Sequence, residues 1–185
     1  CLGNDGYLYY TYSTTGKPSA LYRMKNGGKT EQQLTFLNQE LEDEVDIRPS
    51  EVMWVEGAEG AKIQVFVVKP HDFDPNKKYP VIMQQYSGPG SQQVLNKWSL
   101  DWQEYFATQG FIIACVDGRG TGGREKAFQS VVYQKLGKYE SIDQIAAAKY
   151  MASLPYVDAK HIGIWGWSYG GYEALMAMST PGSDY

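Results

Sequence analysis

The residues of this chain best suited to chemistry are Gly166-Trp167-Ser168-Tyr169-Gly170-Gly171, a G-x-S-x-G pattern. It lies between an apolar, strand-like run ending at Trp165 and a run rich in Ala, Met and Leu. A strand that turns sharply into a helix lifts a serine Oγ clear of the sheet, and small residues on both sides let the backbone fold that tightly. The helix N-terminus beside the serine favours negative charge where an oxyanion would form. Glycine is common here, 20 of 185 residues, so the bare pattern carries little weight and the flanking strand and helix carry most of it. Ser168 is thus the candidate nucleophile; the alternative is a glycine-rich packing turn.

A second loop, Tyr86-Ser87-Gly88-Pro89-Gly90-Ser91, follows the strand-like Val81 to Gln85 and holds too many turn formers to extend it. In a serine-elbow fold the loop after an early strand contributes to the oxyanion hole, and the Tyr86 hydroxyl is a competent donor. From spacing alone, a purely structural tyrosine is the favoured reading. A third loop, Asp117-Gly118-Arg119-Gly120-Thr121-Gly122-Gly123, matches G-x-G-x-x-G after a strand and so competes as a dinucleotide site. That site needs a helix starting at the third glycine and an acidic residue closing a second strand about 20 positions on. Glu140 instead opens a helical stretch, so a tight structural loop with Arg119 paired to a carboxylate is preferred, and no cofactor is expected.

Both histidines precede Ser168: His71 in the turn Pro70 to Asp74, and His161 at the opening of a strand. In an elbow fold the triad runs Ser, then Asp or Glu, then His, so neither is expected to be the base. Only 17 residues follow Ser168. The expectation is that the base and its carboxylate lie outside the chain, which would be part of a longer one, inactive and poorly folded in isolation. Two isolated histidines and two distant cysteines give no metal-ligand spacing, and no metal is expected. Cys115 lies in an apolar run and reads as buried.

The elements that must position these groups fall into two grammars. Residues 1 to 37 read as short strands, Tyr7 to Ser13, Ala20 to Lys25 and Gln32 to Leu37, broken by Thr15-Gly16-Lys17-Pro18 and Asn26-Gly27-Gly28: an antiparallel meander. Residues 38 to 50, with Glu40, Glu42, Asp43, Glu44 and Asp46, read as a solvated connector. Beyond Pro49 come strands at Glu51 to Glu56, Ala61 to Lys69 and Val81 to Gln85, and a helix at Trp98 to Thr108. The doubly covered strand Phe111 to Val116 follows, then a helix at Tyr139 to Ser153, a strand at His161 to Trp165 and a helix from Tyr169 to about Ser179. Alternation of this kind implies an α/β fold with a mainly parallel sheet.

Composition excludes several classes. With 43% hydrophobic and 21% charged residues the chain is neither disordered nor fibrous. A net charge of −4, with no basic cluster longer than Lys77-Lys78, argues against nucleic acid as a partner. No apolar run approaches the roughly 20 residues of a membrane span.

Taken together, Tyr86 to Gln92, Val116 to Gly122, Leu136-Gly137 with Glu140 and Asp143-Gln144, and Trp165 to Tyr172 resemble the prolyl oligopeptidase family, dipeptidyl peptidase IV branch, in a bacterial form. The likeness is strong over residues 50 to 185 and rests only on position and strand pattern over residues 1 to 37. It implies the last strands of a β-propeller and a linker at residues 1–48, and the N-terminal portion of an α/β-hydrolase catalytic domain at residues 49–185. It further implies Ser168 as nucleophile, the Tyr169 backbone N–H and the Tyr86 hydroxyl as the oxyanion hole, Trp167 as a brace, and Arg119, Glu140 and Asp143 as structural supports. The implied activity is release of N-terminal dipeptides, after proline, from peptides with a free amino terminus, by a periplasmic or extracytoplasmic protein that is a homodimer when complete. The alternatives are a non-catalytic binding relative and an oligopeptidase or acylaminoacyl peptidase of the same family. Glu125 stands where many relatives carry glycine.

Overall fold

The computed structural model describes residues 1–45 and 49–183. Asp46, and the domain boundary expected at residues 48 and 49, fall in or beside the residues left out of that description. The chain divides into two compact units: Cys1–Ser50 with Asn96–Leu100, and Glu51–Leu95 with Asp101–Tyr185.

The first unit is an antiparallel sheet of β1 (Tyr7–Thr14), β2 (Lys17–Lys25) and β3 (Glu31–Gln33). Thr14 pairs with Lys17, so Lys17 and Pro18 already belong to β2 and not to the turn. β3 is half the expected length. Alternate residues Pro18, Ala20 and Tyr22 point to the one buried face, and the Tyr22 ring packs between Tyr10 and Tyr12, each 6.0 Å away between ring centroids. Part of the acidic connector is a short helix, α1 (Gln39–Glu44), with no buried residue.

The second unit carries the candidate chemistry on a five-stranded sheet. Its strands are β4 (Glu51–Glu56), β5 (Lys62–Val68), β6 (Tyr79–Gln84), β7 (Ile112–Asp117) and β8 (Val157–Trp165), in the order β4-β5-β7-β6-β8. β6 pairs in parallel with β7 and β8, but β5 is antiparallel to both its neighbours. The pairings therefore split evenly, and the expectation of a mainly parallel sheet is corrected. For β4 and β5 the cause is local: only five residues join them, closed by the Gly57 N–H donating to the Ala61 carbonyl at 2.6 Å, and so short a link cannot cross over.

All six residues of β7 are buried, as its unbroken apolar run requires. Ile112, Ala114 and Val116 join Ile63, Val65, Val67, Val81, Met83, Ala147 and Met151 on one face of the sheet. On the other, Ile113 packs with Phe66, Ile82, Trp102, Ala107 and Phe111. Helix α4 (Lys138–Ser153) covers the first face and α2 (Trp102–Thr108) the second, giving three layers. α2 starts four residues later than the sequence spacing predicts, because Asp101 forms a capping box: its side chain accepts from the Glu104 N–H, and the Glu104 side chain accepts from the Asp101 N–H at 2.9 Å, while Asp101 also accepts from the Trp102 N–H at 2.7 Å. α3 (Lys126–Ser130) is an added short helix, and α5 (Tyr169–Ser179) follows β8. The class is α/β, as expected. No helix among the described residues is long and apolar enough to cross a membrane.

The face that α4 buries is only partly the predicted one: Ile145 is buried and Tyr150 and Leu154 pack on the core. The spacing of Ile142, Ile145, Ala146, Tyr150 and Leu154 points to an apolar stripe, yet its first two turns bury Glu140, Ser141, Asp143 and Gln144. These side chains meet the loops beneath Ser168.

Candidate active site

β8 ends at Trp165, α5 begins at Tyr169, and Ser168 between them holds φ 56°, ψ −116°. A positive φ in a non-glycine residue costs on the order of 1–3 kcal/mol and persists only where its surroundings impose it. Two glycines and a glutamine impose it here. A Cβ on Gly166 would collide with the Gly170 carbonyl group, and one on Gly170 would lie 2.5 Å from the Gln85 carbonyl oxygen. The Gln85 side chain, 2% exposed at the end of β6, donates from Nε2 to the Gly170 carbonyl at 2.6 Å, and its backbone N–H donates to the Trp165 carbonyl at 3.1 Å. The elbow is thus pinned from the adjacent parallel strand. Ser168 itself is exposed.

The first N–H groups of α5 are not equivalent. Gly170 donates to the Trp167 carbonyl at 2.8 Å, and Gly171 and Tyr172 donate to the Ser168 carbonyl at 2.9 and 3.2 Å. Among the described residues nothing accepts from the Tyr169 N–H. The Tyr169 ring is 6.3 Å from the Tyr86 ring, so the structure brings together the three residues singled out from the sequence, Ser168, Tyr169 and Tyr86. The half-buried Tyr86 makes no hydrogen bond through its hydroxyl among the described residues. Its ring folds back over Gly88, where a Cβ would meet it. The Tyr169 hydroxyl donates to Glu140 Oε1 at 2.9 Å. Burial, then that carboxylate, hold the phenol well above its ordinary range.

The Gly118 to Gly123 loop behaves oppositely. Four of its six N–H groups are consumed internally: Arg119 donates to Asp143 Oδ2 at 2.8 Å, Gly120 to the Phe128 carbonyl at 3.0 Å, Thr121 to the Gly118 carbonyl at 3.3 Å and Gly122 to the Ser91 carbonyl at 2.6 Å. A Cβ on Gly122 would lie 2.5 Å from the Gly90 carbonyl oxygen, and α3 starts only at Lys126. These amides have no donor left for a pyrophosphate, which counts against the dinucleotide reading. Arg119 is paired to a carboxylate as expected, through Nε and Nη2 to the fully buried Asp143, while Nη1 reaches Glu59 Oε2 at 2.7 Å. Burial pulls the guanidinium down, but its two carboxylate partners outweigh that and raise it above its usual value. Asp117 Oδ2 accepts from the Gln93 and Val94 N–H groups at 2.8 and 2.7 Å, fixing the exit of the Tyr86 loop.

The histidines lie elsewhere. Val68, closing β5, pairs with Ile113 at the start of β7, so the turn holding His71 sits at the opposite end of the sheet from Ser168. His161 does not open its strand but lies inside β8, with Nδ1 2.7 Å from Asp158 Oδ2. Trp167, expected as a brace, is 75% exposed. Sequence reasoning passed over Ser141 and Glu173, and gave no role to Gln85 or to Gln144. The available signal was a polar residue closing an apolar strand at Gln85 and a lone carboxylate in an apolar helix at Glu173. Burial drives the Glu173 carboxyl up to about 7, a hydrogen bond donated by Ser141 would oppose that rise, and the charge on Glu140 adds to it.

Residues 98–184 match the profile of the prolyl oligopeptidase family. A protein named as dipeptidyl-aminopeptidase B in Grosmannia clavigera is 48% identical over 124 residues, which are 66% of this chain and 13% of that one. The crystal structure of Porphyromonas gingivalis dipeptidyl peptidase 4 superimposes with a TM-score of 0.87 at 44% identity, over 98% of this chain and 26% of that one. An acylaminoacyl peptidase from Pyrococcus horikoshii, 24% identical, shares the fold with a TM-score of 0.80 over 95% of this chain and 28% of its own. The chain therefore spans 13% of the length of the curated relative and about a quarter of the solved ones.

Proposed function

We propose, from the match of residues 98–184 to the prolyl oligopeptidase family, that Ser168 is the nucleophile of a serine peptidase that releases dipeptides from the amino terminus of peptides, after proline. One observation carries the reading: Ser168 is held at φ 56° at the head of α5, beside an N–H with no acceptor among the described residues. The serine oxygen, losing its proton to a histidine, attacks the scissile carbonyl; the Tyr169 N–H and Tyr86 hydroxyl then donate to the oxyanion as it forms. The histidine and its orienting carboxylate belong to the complete protein outside residues 1–185, consistent with the positions of His71 and His161. Residues 1–48 are the end of a β-propeller with its linker and residues 49–185 the start of the catalytic domain; the complete protein acts on peptides with a free amino terminus and is a homodimer. The relatives named for dipeptidyl peptidase activity support this substrate class.

Replacing Ser168 by Ala in the complete protein is expected to lower turnover of an X-Pro chromogenic dipeptide substrate by on the order of 10⁶-fold, with the unfolding midpoint unchanged. Turnover retained by Ser168→Ala overturns the assignment. Release from an acylated amino acid but not from X-Pro keeps the nucleophile and replaces the substrate class.

A further inference from the structure

The Ser141 hydroxyl lies between two oxygens, the Gly137 carbonyl at 2.6 Å and Glu173 Oε2 at 3.0 Å. A hydroxyl carries one proton and can satisfy only one of them as donor. The shorter contact takes that proton, the usual bond from a helical serine to the carbonyl four residues back. Ser141 Oγ then turns a lone pair toward Glu173, and an ionised carboxylate there would set two acceptors against each other.

The surroundings make the same demand. Glu140 is 1% and Glu173 0% exposed, and no cation is paired with either among the described residues. Arg119 is committed to Asp143 and Glu59, and Lys138 at the start of α4 acts on Glu59. Two buried carboxylates with no counter-charge are strongly unfavourable, so one keeps its proton. Glu140 accepts from the Tyr169 hydroxyl, and the Ser141 geometry places the proton on Glu173. Of the other ionisable groups on the two packed helices, Tyr169 and Tyr172 lie on α5 and Lys138, Tyr139, Asp143, Lys149 and Tyr150 on α4. In β8, Asp158 and His161 pair with each other on the exposed part of the strand, and Lys160 is exposed.

We infer that Glu173 is a neutral carboxylic acid whose proton is donated to Ser141, clamping α5 to α4 and so positioning Ser168 and the Tyr169 N–H at the head of α5. The positioning role rests on Ser168 being the nucleophile; the protonation state does not. Glu173 follows Tyr169 by one helical turn, so the clamp and the oxyanion donor share one rigid segment. Loss of the proton removes the donor and sets a second charge beside Glu140.

The sign of the pH dependence follows. A carboxyl that is easier to protonate folded than unfolded contributes stability at low pH that is lost as pH rises toward its folded value, here from about 4.5 to about 7. In the complete protein, the Tm of wild type is expected to fall relative to Glu173→Gln across that window and to run parallel above it, since the amide donates at every pH. The rate at which a fluorophosphonate labels Ser168, taken as the ratio of wild type to E173Q, declines with pH as Glu173 ionises. A second variant needs no folded E173Q: Ser141→Ala deprives the neutral acid of its acceptor, so the midpoint of the Tm difference from wild type moves to lower pH. A flat Tm difference between wild type and E173Q, or a midpoint moved upward by S141A, overturns the clamp. A Tm difference that follows pH in a protein whose Ser168 never labels leaves the clamp standing and removes the nucleophile reading.

Discussion

Two glycine-rich loops leave neighbouring regions of the same sheet, Gly118 to Gly123 after β7 and Gly166 to Gly171 after β8, and they use their glycines for different ends. In the first, four consecutive N–H groups from Arg119 to Gly122 find acceptors within the protein and the loop is tied to Asp143. In the second, the glycines only allow the chain to pass over β6, while a serine is left exposed at positive φ beside an N–H with no acceptor among the described residues. Glycine spacing alone marks where backbone approaches backbone. The capacity for chemistry lies in what the close approach leaves unsatisfied.

The comparison breaks most visibly at Arg119. If the first loop is a support, Arg119→Ala strands the fully buried Asp143 carboxylate and is expected to cost about 3–5 kcal/mol of stability, the usual penalty for removing one partner of a buried pair. Loss of the Glu59 contact adds little, because that side chain is 66% exposed. Urea unfolding of the complete protein reads the effect. Fluorophosphonate labelling of Ser168 in the folded fraction is expected to stay within a few-fold of wild type; loss of labelling without loss of stability would place the first loop in the chemistry.

Tyr86→Phe sharpens the other side. The hydroxyl makes no hydrogen bond among the described residues, so its removal is expected to leave the unfolding midpoint where it is. If it donates to an oxyanion, kcat falls on the order of 100-fold to 1000-fold, or roughly 3–4 kcal/mol of barrier. An unchanged kcat with a lowered midpoint would return Tyr86 to the structural role that spacing alone favours.

Much of this was legible because the decisive residues are local. Ser168, with its preceding strand and following helix, is contained in 23 consecutive residues, and β7 declares its double burial through an unbroken apolar run. The polar underside of the site is not local. Gln85 reaches Gly170 across 85 positions, Gln144 reaches Ser87 across 57 and Ser141 meets Glu173 across 32, and nothing in helical periodicity distinguishes a polar residue turned into a core from one facing water. The apolar stripe predicted for α4 holds at Ile145, Tyr150 and Leu154 but misses the polar residues of its first two turns for this reason. The antiparallel place of β5 was hidden likewise, since strand periodicity carries no direction; the brevity of the β4–β5 link was the available clue.

Trp167 is where the expected effect is smallest and the lesson about the elbow most direct. A large aromatic beside a nucleophile invites the role of a brace, but its 75% exposure leaves little surface to contribute. The turn has other restraints: Gly166 against Gly170, the Gln85 amide on the Gly170 carbonyl and the Gln85 N–H on the Trp165 carbonyl. None involves the indole. Trp167→Ala is therefore expected to change stability by no more than about 0.5 kcal/mol, as for other surface replacements, when the complete protein is unfolded in urea. A loss above about 2 kcal/mol would show the indole buried against a part of the protein outside residues 1–185, and the elbow would then be supported from both sides and not from β6 alone.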